Sequence, residues 1–317
     1  MNDVMLIGGV SVLLQLGLCL RVADAGEAGG ADLSGATVET VADGFAFTEG
    51  PALAPDGSIY FTDIPRNAIH RYDPATGQTT RFTGASGGAN GLMFSPDGDG
   101  LYACAGKART LHHYRPQPPA EGATDTFELI QAPQPLTMTF EGKRFNSPND
   151  LALGDRGIYF TDPRYGNRDD MQMQIEGVYV LTAEPDTHRP LVVRLIDDLV
   201  RPNGLAITAD GETLYVADHG DAKLWAYPIL ETTRLGEPRL LHDMADLGGG
   251  DGMTIDQHGR LFVTVPQSGG VLMLTPDGER LGFIETGPQT SNCTFGADGK
   301  TLYVTADKSL KRVTWDR

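Results

Sequence analysis

Cysteine, tryptophan and basic residues are scarce in this sequence of 317 residues. It contains three cysteines and two tryptophans, and 25 Lys and Arg stand against 42 Asp and Glu. The resulting net charge of −17 repels phosphate backbones, so nucleic acid is not an expected partner. Cys104 and Cys293 lie far apart in the chain and suggest neither a zinc motif nor a disulfide framework.

Helical periodicity is missing after the first 25 residues, and so are two common active-site motifs. Neither a Walker phosphate loop nor an H-E-x-x-H helix occurs in the sequence. These absences argue against P-loop nucleotide hydrolysis and zinc-protease chemistry, and they direct attention to strands.

The N-terminus holds the one long apolar stretch. Residues Val4–Leu20 are almost wholly apolar, and Ala23-Asp24-Ala25 matches a signal-peptide cleavage pattern. We predict a signal peptide over residues 1–25 and a linker over residues 26–35. Cleavage implies a periplasmic or secreted protein with no remaining membrane segment. No Lys or Arg precedes the apolar run, and a cytoplasmic location follows if the segment is not cleaved.

One pattern recurs six times along the rest of the chain. A polar residue, called here the lead residue, stands eight residues before a turn glycine and begins an apolar run. The six units are Glu49–Gly57, Asn90–Gly98, Asn149–Gly157, Asn203–Gly211, Asp251–Gly259 and Ser291–Gly299. Four of the glycines follow Asp, which predicts tight hairpin turns with positive φ at the glycine.

Each turn is followed by short runs that are rich in β-branched and aromatic residues and alternate in polarity, such as IYFTD and TLYVAD. Most units contain four such runs, which predicts a four-stranded meander. The turn glycines recur at intervals of roughly 40 to 60 residues, against roughly 40 to 50 for propeller blades. We therefore predict one all-β domain over residues 36–317, a six-bladed β-propeller, with a β-sandwich or a solenoid as the alternative.

The last unit has only three strands before Arg317, while a spare strand at residues 36–45 precedes Glu49. We predict that this N-terminal strand completes the last blade and closes the ring.

In a propeller, the innermost strands line a central channel, so all six lead residues should meet at one mouth of that channel. Five of them carry carboxylate or amide oxygens, and four of these five are the predicted cation ligands: Glu49, Asn149, Asn203 and Asp251. Oxygen ligands of this kind suit a hard divalent cation, Ca²⁺ first, with Mg²⁺, Mn²⁺ or Zn²⁺ as alternatives. The competing interpretation is that these residues merely form Asn-Gly and Asp-Gly turns.

Five segments carry a resemblance to a known family: FTEGP at Glu49, RFNSPNDL at Asn149, RPNGLA at Asn203, GGDGMTID at Asp251, and NCTFGADGKTLYVTA from Asn292. They resemble the SMP-30/gluconolactonase/LRE-like family of six-bladed propellers, and its bacterial gluconolactonase branch in particular. The resemblance implies a divalent cation held by Glu49, Asn149, Asn203 and Asp251. It departs from the branch at Cys104-Ala105-Gly106, where a bulkier polar residue is expected.

The expected reaction is hydrolysis of a small lactone substrate. A cation would polarise the lactone carbonyl, and the resemblance implies that Asp251 is both a ligand and the general base. Attack by a water activated by the cation, with little help from Asp251, stays open. Asn90 and the loop residues Arg164 and Tyr165 are the predicted substrate contacts, with ordinary loop packing as the alternative for the latter two.

Other functions stay open on the sequence. The same site could hydrolyse aryl esters or phosphotriesters, or the propeller could bind a ligand without catalysis. Histidine-based chemistry would centre on His219, because His112 and His113 fall on a third strand, away from the channel.

Overall fold

The computed structural model describes residues 35–117, 128–155, 157–184 and 186–315. The predicted signal peptide lies outside the described residues, as does the linker except for Gly35. The described part of the chain contains strands, turns and loops but no helix. It accordingly lacks any helix with the length and apolar character needed to cross a membrane.

Six small antiparallel sheets form the blades. Strand β1 (Thr37–Asp43) precedes the first blade, which contains β2 (Thr48–Leu53), β3 (Ile59–Asp63), β4 (Ala68–Asp73) and β5 (Gln78–Thr83). The second blade contains β6 (Ala89–Phe94), β7 (Leu101–Ala105), β8 (Thr110–Tyr114) and β9 (Gln134–Thr137). A two-stranded ribbon, β10 (Thr139–Phe140) and β11 (Lys143–Arg144), leads to the third blade.

The third blade contains β12 (Leu151–Gly154), β13 (Gly157–Asp162), β14 (Gly177–Ala183) and β15 (Pro190–Ile196). The fourth contains β16 (Pro202–Ile207), β17 (Thr213–Asp218), β18 (Lys223–Glu231), the short β19 (Arg234–Leu235) and the outer strand β20 (Arg239–Asp243). The fifth contains β21 (Met253–Ile255), β22 (Leu261–Val265), β23 (Gly270–Leu274) and β24 (Arg280–Glu285). The sixth contains β25 (Thr290–Phe295), β26 (Leu302–Ala306) and β27 (Ser309–Thr314), with β1 as its fourth strand.

The ring is closed by the N-terminal strand, as predicted. Strand β1 pairs antiparallel with β27 from Thr37 opposite Thr314 to Asp43 opposite Ser309. This pairing joins the two ends of the described chain and covers an edge that β27 would otherwise expose. The six-bladed, all-β architecture is confirmed, and the sandwich and solenoid alternatives are wrong.

The hydrophobic core lies between the blades. Tyr60 and Ile69 of the first blade pack with Leu92, Leu101 and Tyr114 of the second, and each later pair of blades repeats this arrangement. The middle strands are buried on both faces, so the expectation of half-buried, alternating strands is wrong for them: blades pack against both of their faces. A blade alone would leave both of these faces in water, so the blades are stable only as a stack.

The turn glycines confirm most of the hairpin prediction. Gly57, Gly98, Gly211 and Gly299 each follow Asp and have φ between 60° and 83°. Gly157 differs, because it begins β13 and does not have a positive φ. Four lead residues are the second residues of inner strands, and Asn149 and Asp251 lie two residues before theirs. None lies in a turn, so the interpretation of lead residues as turn dipeptides is wrong.

Candidate active site

One pocket brings the predicted residues together. It has a volume of about 580 Å³ and opens at the end of the channel where the inner strands begin. Five lead residues line it: Glu49, Asn90, Asn149, Asn203 and Asp251. Arg164 and Tyr165, from the loop between β13 and β14, line it as well. All seven predicted site residues therefore share one cavity, although they come from five blades.

The sixth lead residue, Ser291, does not face the pocket. Its side chain is fully buried, and its Oγ donates to the carbonyl of Thr48 at 2.9 Å and lies 2.9 Å from the Oγ1 of Thr305. Ser291 therefore ties the sixth blade to the first. The hydroxyl of Ser291 is hydrogen-bonded to neighbouring backbone and is not available to the pocket. Five lead residues line the pocket, and not the expected six.

Glu49 and Asp251 place two carboxylates close together in a poorly solvated site. Burial, followed by the negative charge of Asp150, raises the pKa of Glu49 to about 8. Burial and then the charges of Glu49 and Asp150 raise the pKa of Asp251 well above its ordinary value. Like charges held together away from water disfavour the ionised form of both groups. A positive charge beside the two carboxylates would be needed to keep them ionised.

The donor set fits a hard divalent cation. None of the ion pairs in the described residues involves Glu49, Asp150 or Asp251. Asn149 and Asn203 are buried beside them and add neutral amide oxygens. The described residues contain no cluster of three or more His, Cys, Asp and Glu suited to a metal ion, so a cation here would depend on the two amides. Such a mixture of carboxylate and amide oxygens is typical of Ca²⁺ sites.

Asp150 and Asn292 are two channel residues that the sequence analysis did not single out. The Nδ2 of Asn292 donates to the Oδ2 of Asp150 at 3.2 Å, and Asn292 also contacts Glu49. Burial raises the pKa of Asp150 to about 7. Both residues line a second cavity of about 180 Å³ in the interior, further along the inner strands. They form a polar layer beneath the carboxylates of the pocket.

A departure from the repeat could have revealed this pair. The residue after the lead residue is glycine in four units, Gly50, Gly91, Gly204 and Gly252, but Asp150 and Asn292 in the other two. A Cβ at Gly91 would collide with the Oδ1 of Asp150, and one at Gly252 would collide with the amide of Asn292. The glycines therefore leave room at the axis for the two side chains that do project there.

Tyr165 lies over the amide of Asn203. Its hydroxyl accepts a hydrogen bond from the Nδ2 of Asn203 at 2.8 Å. The ring is placed by the guanidinium of Arg201, 5.2 Å from its centroid, and by His219, whose ring centroid is 6.2 Å away. Because the amide nitrogen is engaged with Tyr165, the Oδ1 of Asn203 is left as its metal-binding atom.

Arg164 holds its own loop together. Its guanidinium donates to the carbonyl of Asn146 at 2.9 Å and to that of Asn167 at 2.7 Å, and it pairs with Asp170. The side chain still lines the pocket, so a substrate contact stays a prediction for Arg164. Its clear structural effect is to order the loop that brings Tyr165 over the pocket.

His219 borders the pocket and supports Asp251 through the backbone. Its Nδ1 lies 3.0 Å from the carbonyl oxygen of Gly250, so Nδ1 carries the proton and donates. Burial lowers the pKa of His219, which favours the neutral ring, and Nε2 lies 3.5 Å from the side-chain nitrogen of Gln267. His112 and His113 are buried in β8 and do not line the pocket.

Lys107 is a pocket residue that the sequence analysis missed. It follows Cys104-Ala105-Gly106, where a bulky polar residue was expected near Ala105. Ala105 and Gly106 are buried, and a Cβ at Gly106 would lie 2.7 Å from the Oγ of Ser147. The exposed Lys107 side chain instead places a cation at the pocket wall, where its Nζ is 3.5 Å from the carbonyl of Ile64.

Ser86 is a further residue that the sequence analysis passed over. Residues 84–88 spell G-x-S-x-G, the pattern of a nucleophilic serine in α/β-hydrolases. Ser86 is fully buried between β5 and β6, and the backbone nitrogen of Ala89 donates to its Oγ at 3.1 Å. Its hydroxyl stabilises a loop and does not face the pocket, so a serine-nucleophile mechanism has no support here.

The fold and pocket define a six-bladed propeller with an oxygen-lined site at its channel mouth. Residues 47–308 match the SMP-30/Gluconolactonase/LRE-like region, and the chain belongs to this family. The predicted family resemblance is thereby confirmed.

Relatives and solved structures agree with this assignment. A gluconolactonase from Zymomonas mobilis is 33% identical over 308 residues, covering 87% of this chain and 80% of that protein. A solved gluconolactonase structure from Xanthomonas campestris is 26% identical, with a TM-score of 0.75 and coverage of 88% of this chain and 89% of that one. Regucalcin from Danio rerio is 31% identical over 142 residues, which cover 43% of this chain and 47% of that protein.

Proposed function

We propose that the protein is a divalent-cation-dependent hydrolase that opens small sugar lactones, with Ca²⁺ as its cation. The observation that carries the proposal is the shared pocket of Glu49, Asn149, Asn203 and Asp251, whose two carboxylates lack a positive partner among the described residues. The gluconolactonase relatives support the lactone as the substrate class.

The pocket dimensions and polarity suit a hydroxylated ring. A volume of about 580 Å³ lies within the roughly 300 to 1,000 Å³ typical of small-molecule sites. Asn90, Tyr165, His219 and Gln267 supply hydrogen-bonding groups around its wall. Sugar hydroxyls would be matched by these groups, while the lactone carbonyl would face the carboxylate end.

The chemistry divides between the cation and the chain. When bound, the cation would supply a Lewis acid that stabilises the developing oxyanion of the lactone. Water adds to the carbonyl carbon, and the carboxylate of Asp251 accepts the proton that the water loses. The ring carbon–oxygen bond then breaks, and its oxygen takes up the proton that Asp251 accepted from the water, which gives a hydroxy acid and restores the carboxylate. Tyr165 holds the amide of Asn203, and Glu49 and Asn149 would complete the set of residues that hold the cation.

The test is a substrate panel run on protein stripped of metal by a chelator. Five- and six-membered aldonolactones, aryl esters and phosphotriesters would each be assayed with added Ca²⁺, Mg²⁺, Mn²⁺ or Zn²⁺. We expect hydrolysis of aldonolactones that disappears on chelation and returns with Ca²⁺. Turnover confined to aryl esters or phosphotriesters would show that these, and not lactones, are the substrates. Hydrolysis that is unaffected by chelation would contradict the proposed cation dependence.

Asp256→Asn is a matched control for Asp251→Asn in this panel. Asp256 is a second aspartate of the fifth blade and is buried, but its Oδ1 accepts from the backbone of His258 and Arg260 in a turn outside the pocket. We expect Asp256→Asn to keep the lactonase activity that Asp251→Asn loses. If the two variants lost activity equally, the effect would be one of folding.

We also propose that the protein is exported and that the first 25 residues are removed. The apolar stretch Val4–Leu20 and the Ala23-Asp24-Ala25 pattern support this proposal. Intact mass of the protein isolated from its native host tests it, because cleavage would leave a chain that begins at Gly26. A chain that retains Met1 or its neighbours in the cytoplasm would contradict export.

A further inference from the structure

Three buried aspartates occupy equivalent places in three blades. Asp63 ends β3, Asp162 ends β13 and Asp218 ends β17, and none is more than 2% exposed. Each follows a run of similar sequence, YFTD twice and YVAD once. None of the three lines the pocket, so the proposed reaction does not use them directly.

Each aspartate accepts two backbone hydrogen bonds from the segment just before a lead residue. Asp63 accepts from Ala46 at 3.1 Å and from Phe47 at 3.3 Å, ahead of Glu49. Asp162 accepts from Asn146 and Ser147, both at 2.7 Å, ahead of Asn149.

The fourth blade repeats the arrangement. Asp218 accepts from Val200 at 3.0 Å and from Arg201 at 2.8 Å, ahead of Asn203. In all three blades the donors are the residues three and two positions before the lead residue. Hydrogen bonds from two amides to one carboxylate are charge-assisted, and they restrain both the segment and the strand start that follows it.

The other three blades lack this aspartate. Their second strands end at Ala105, Val265 and Ala306. A propeller blade therefore forms without the aspartate, and its presence is not a requirement of the fold. It occurs only in the blades whose lead residues are Glu49, Asn149 and Asn203, which are three of the four predicted cation ligands.

The fourth predicted ligand, Asp251, is supported in a different way. Gly248 and Gly249 stand at the two equivalent positions and have φ of 89° and 95°. The Nδ1 of His219, from the neighbouring blade, holds the carbonyl of Gly250 directly before Asp251. Every predicted ligand thus has a polar side chain that fixes the backbone leading into it, a buried aspartate in three cases and the half-buried His219 in the fourth.

We propose that Asp63, Asp162 and Asp218 are positioning residues that hold Glu49, Asn149 and Asn203 in the geometry needed to bind the cation. The inference rests on the proposed function, since it assumes that these three side chains are ligands. It adds a set of outer residues that set cation affinity without touching cation or substrate. Outer residues that orient ligands commonly change metal affinity by roughly 10- to 100-fold.

The test compares Asp63→Asn, Asp162→Asn and Asp218→Asn with Asp256→Asn. Asparagine keeps the shape but has one acceptor oxygen in place of two and no charge. Asp256 is a stringent control because it is also buried, its Oδ1 accepts two backbone hydrogen bonds at 2.8 Å and 3.0 Å, and its Oδ2 also pairs with Arg260. Ca²⁺ binding would be measured by isothermal titration, and the melting temperature would be measured on metal-free protein.

We expect the three variants to bind Ca²⁺ roughly 10- to 100-fold more weakly than the unaltered protein. The control should lose melting temperature to at least a similar degree, but its Ca²⁺ affinity should change by much less than the roughly 10-fold at which outer-residue effects begin. Four variants with lowered melting temperatures and unchanged Ca²⁺ affinity would overturn the positioning role alone. An unaltered protein that binds none of Ca²⁺, Mg²⁺, Mn²⁺ or Zn²⁺ would overturn the cation site and the positioning role together.

Discussion

Burial gives individual carboxylates of the pocket their unusual properties. Glu49 and Asp251 are enclosed together, and the pKa of each is raised first by loss of solvent and then by neighbouring negative charge. His219, at the same pocket, has its pKa lowered by burial and donates from Nδ1 to the backbone. The residues therefore divide into carboxyl groups, whose ionised forms a bound cation would favour, and a neutral ring that supports the backbone.

This division predicts unequal effects of two substitutions. Asp251→Asn should lower lactonase activity by more than about 100-fold, because it removes both a charged ligand and the proton acceptor. His219→Ala should cost less, since the ring contacts the carbonyl of Gly250 and not the cation. Steady-state kinetics at saturating Ca²⁺ would measure both. A larger loss for His219→Ala, with Ca²⁺ still bound, would instead place histidine at the centre of the chemistry.

At the level of strands, the six inner strands come close together at the axis. Gly50, Gly91, Gly204 and Gly252 make this approach possible, because a Cβ at any of them would collide with a neighbouring inner strand. The two inner strands without such a glycine carry Asp150 and Asn292, which hydrogen-bond across the channel. Because the strands lie so close together, Asp150 and Asn292 can form the polar layer beneath the pocket.

Gly252→Ala should therefore be strongly destabilising. The added methyl group would overlap the amide of Asn292, and overpacking of this kind costs about 1–3 kcal/mol. Gly84→Ala is the control, because its nearest neighbour would be 3.8 Å away and its φ is not positive. Urea unfolding of both variants would measure the difference. Equal stability of the two variants would show that the inner strands can move apart to admit the methyl group, which would contradict their close approach.

Across the whole molecule, acidic groups outnumber basic ones, and several are buried. Burial raises the pKa of Asp150 and of Asp162 to about 7, and that of Glu49 to about 8, from ordinary values of 3.8 and 4.5. In metal-free protein, the folded state then binds more protons than the unfolded state between about pH 4 and pH 8. The stability that these groups contribute is present below their unfolded pKa values and is lost as the pH rises through the folded ones.

The melting temperature of chelated protein should accordingly fall as the pH rises from 5 to 8. Ca²⁺ should reverse most of this loss, because the cation would neutralise the carboxylates that the higher pH ionises. Thermal unfolding at pH 5, 6, 7 and 8, with chelator and with Ca²⁺, would measure both effects. A melting temperature of the chelated protein that rises steadily with pH would contradict the raised pKa values.

The repeat in the sequence was sufficient to predict the propeller, the closing strand β1 and five lead residues that line the pocket, while Arg164 and Tyr165 were predicted from the long loop of the third blade. The repeat features follow from local properties: turn glycines, runs of β-branched and aromatic residues, and the constant interval between lead residue and turn. A period that is repeated six times places equivalent residues at equivalent points of each blade. For the same reason, lead residues from different blades could be assigned to one mouth of the channel.

Contacts between distant parts of the chain decided the remaining features. The Asp150–Asn292 hydrogen bond joins residues 142 positions apart, and Ser291 turns away because Thr48, 243 positions earlier, offers its carbonyl. The engagement of Arg164 by its own loop and the tautomer of His219 likewise depend on partners that no local pattern specifies. Side-chain direction at the axis is set by which neighbours are small enough to admit it, and those neighbours meet only when the ring has closed.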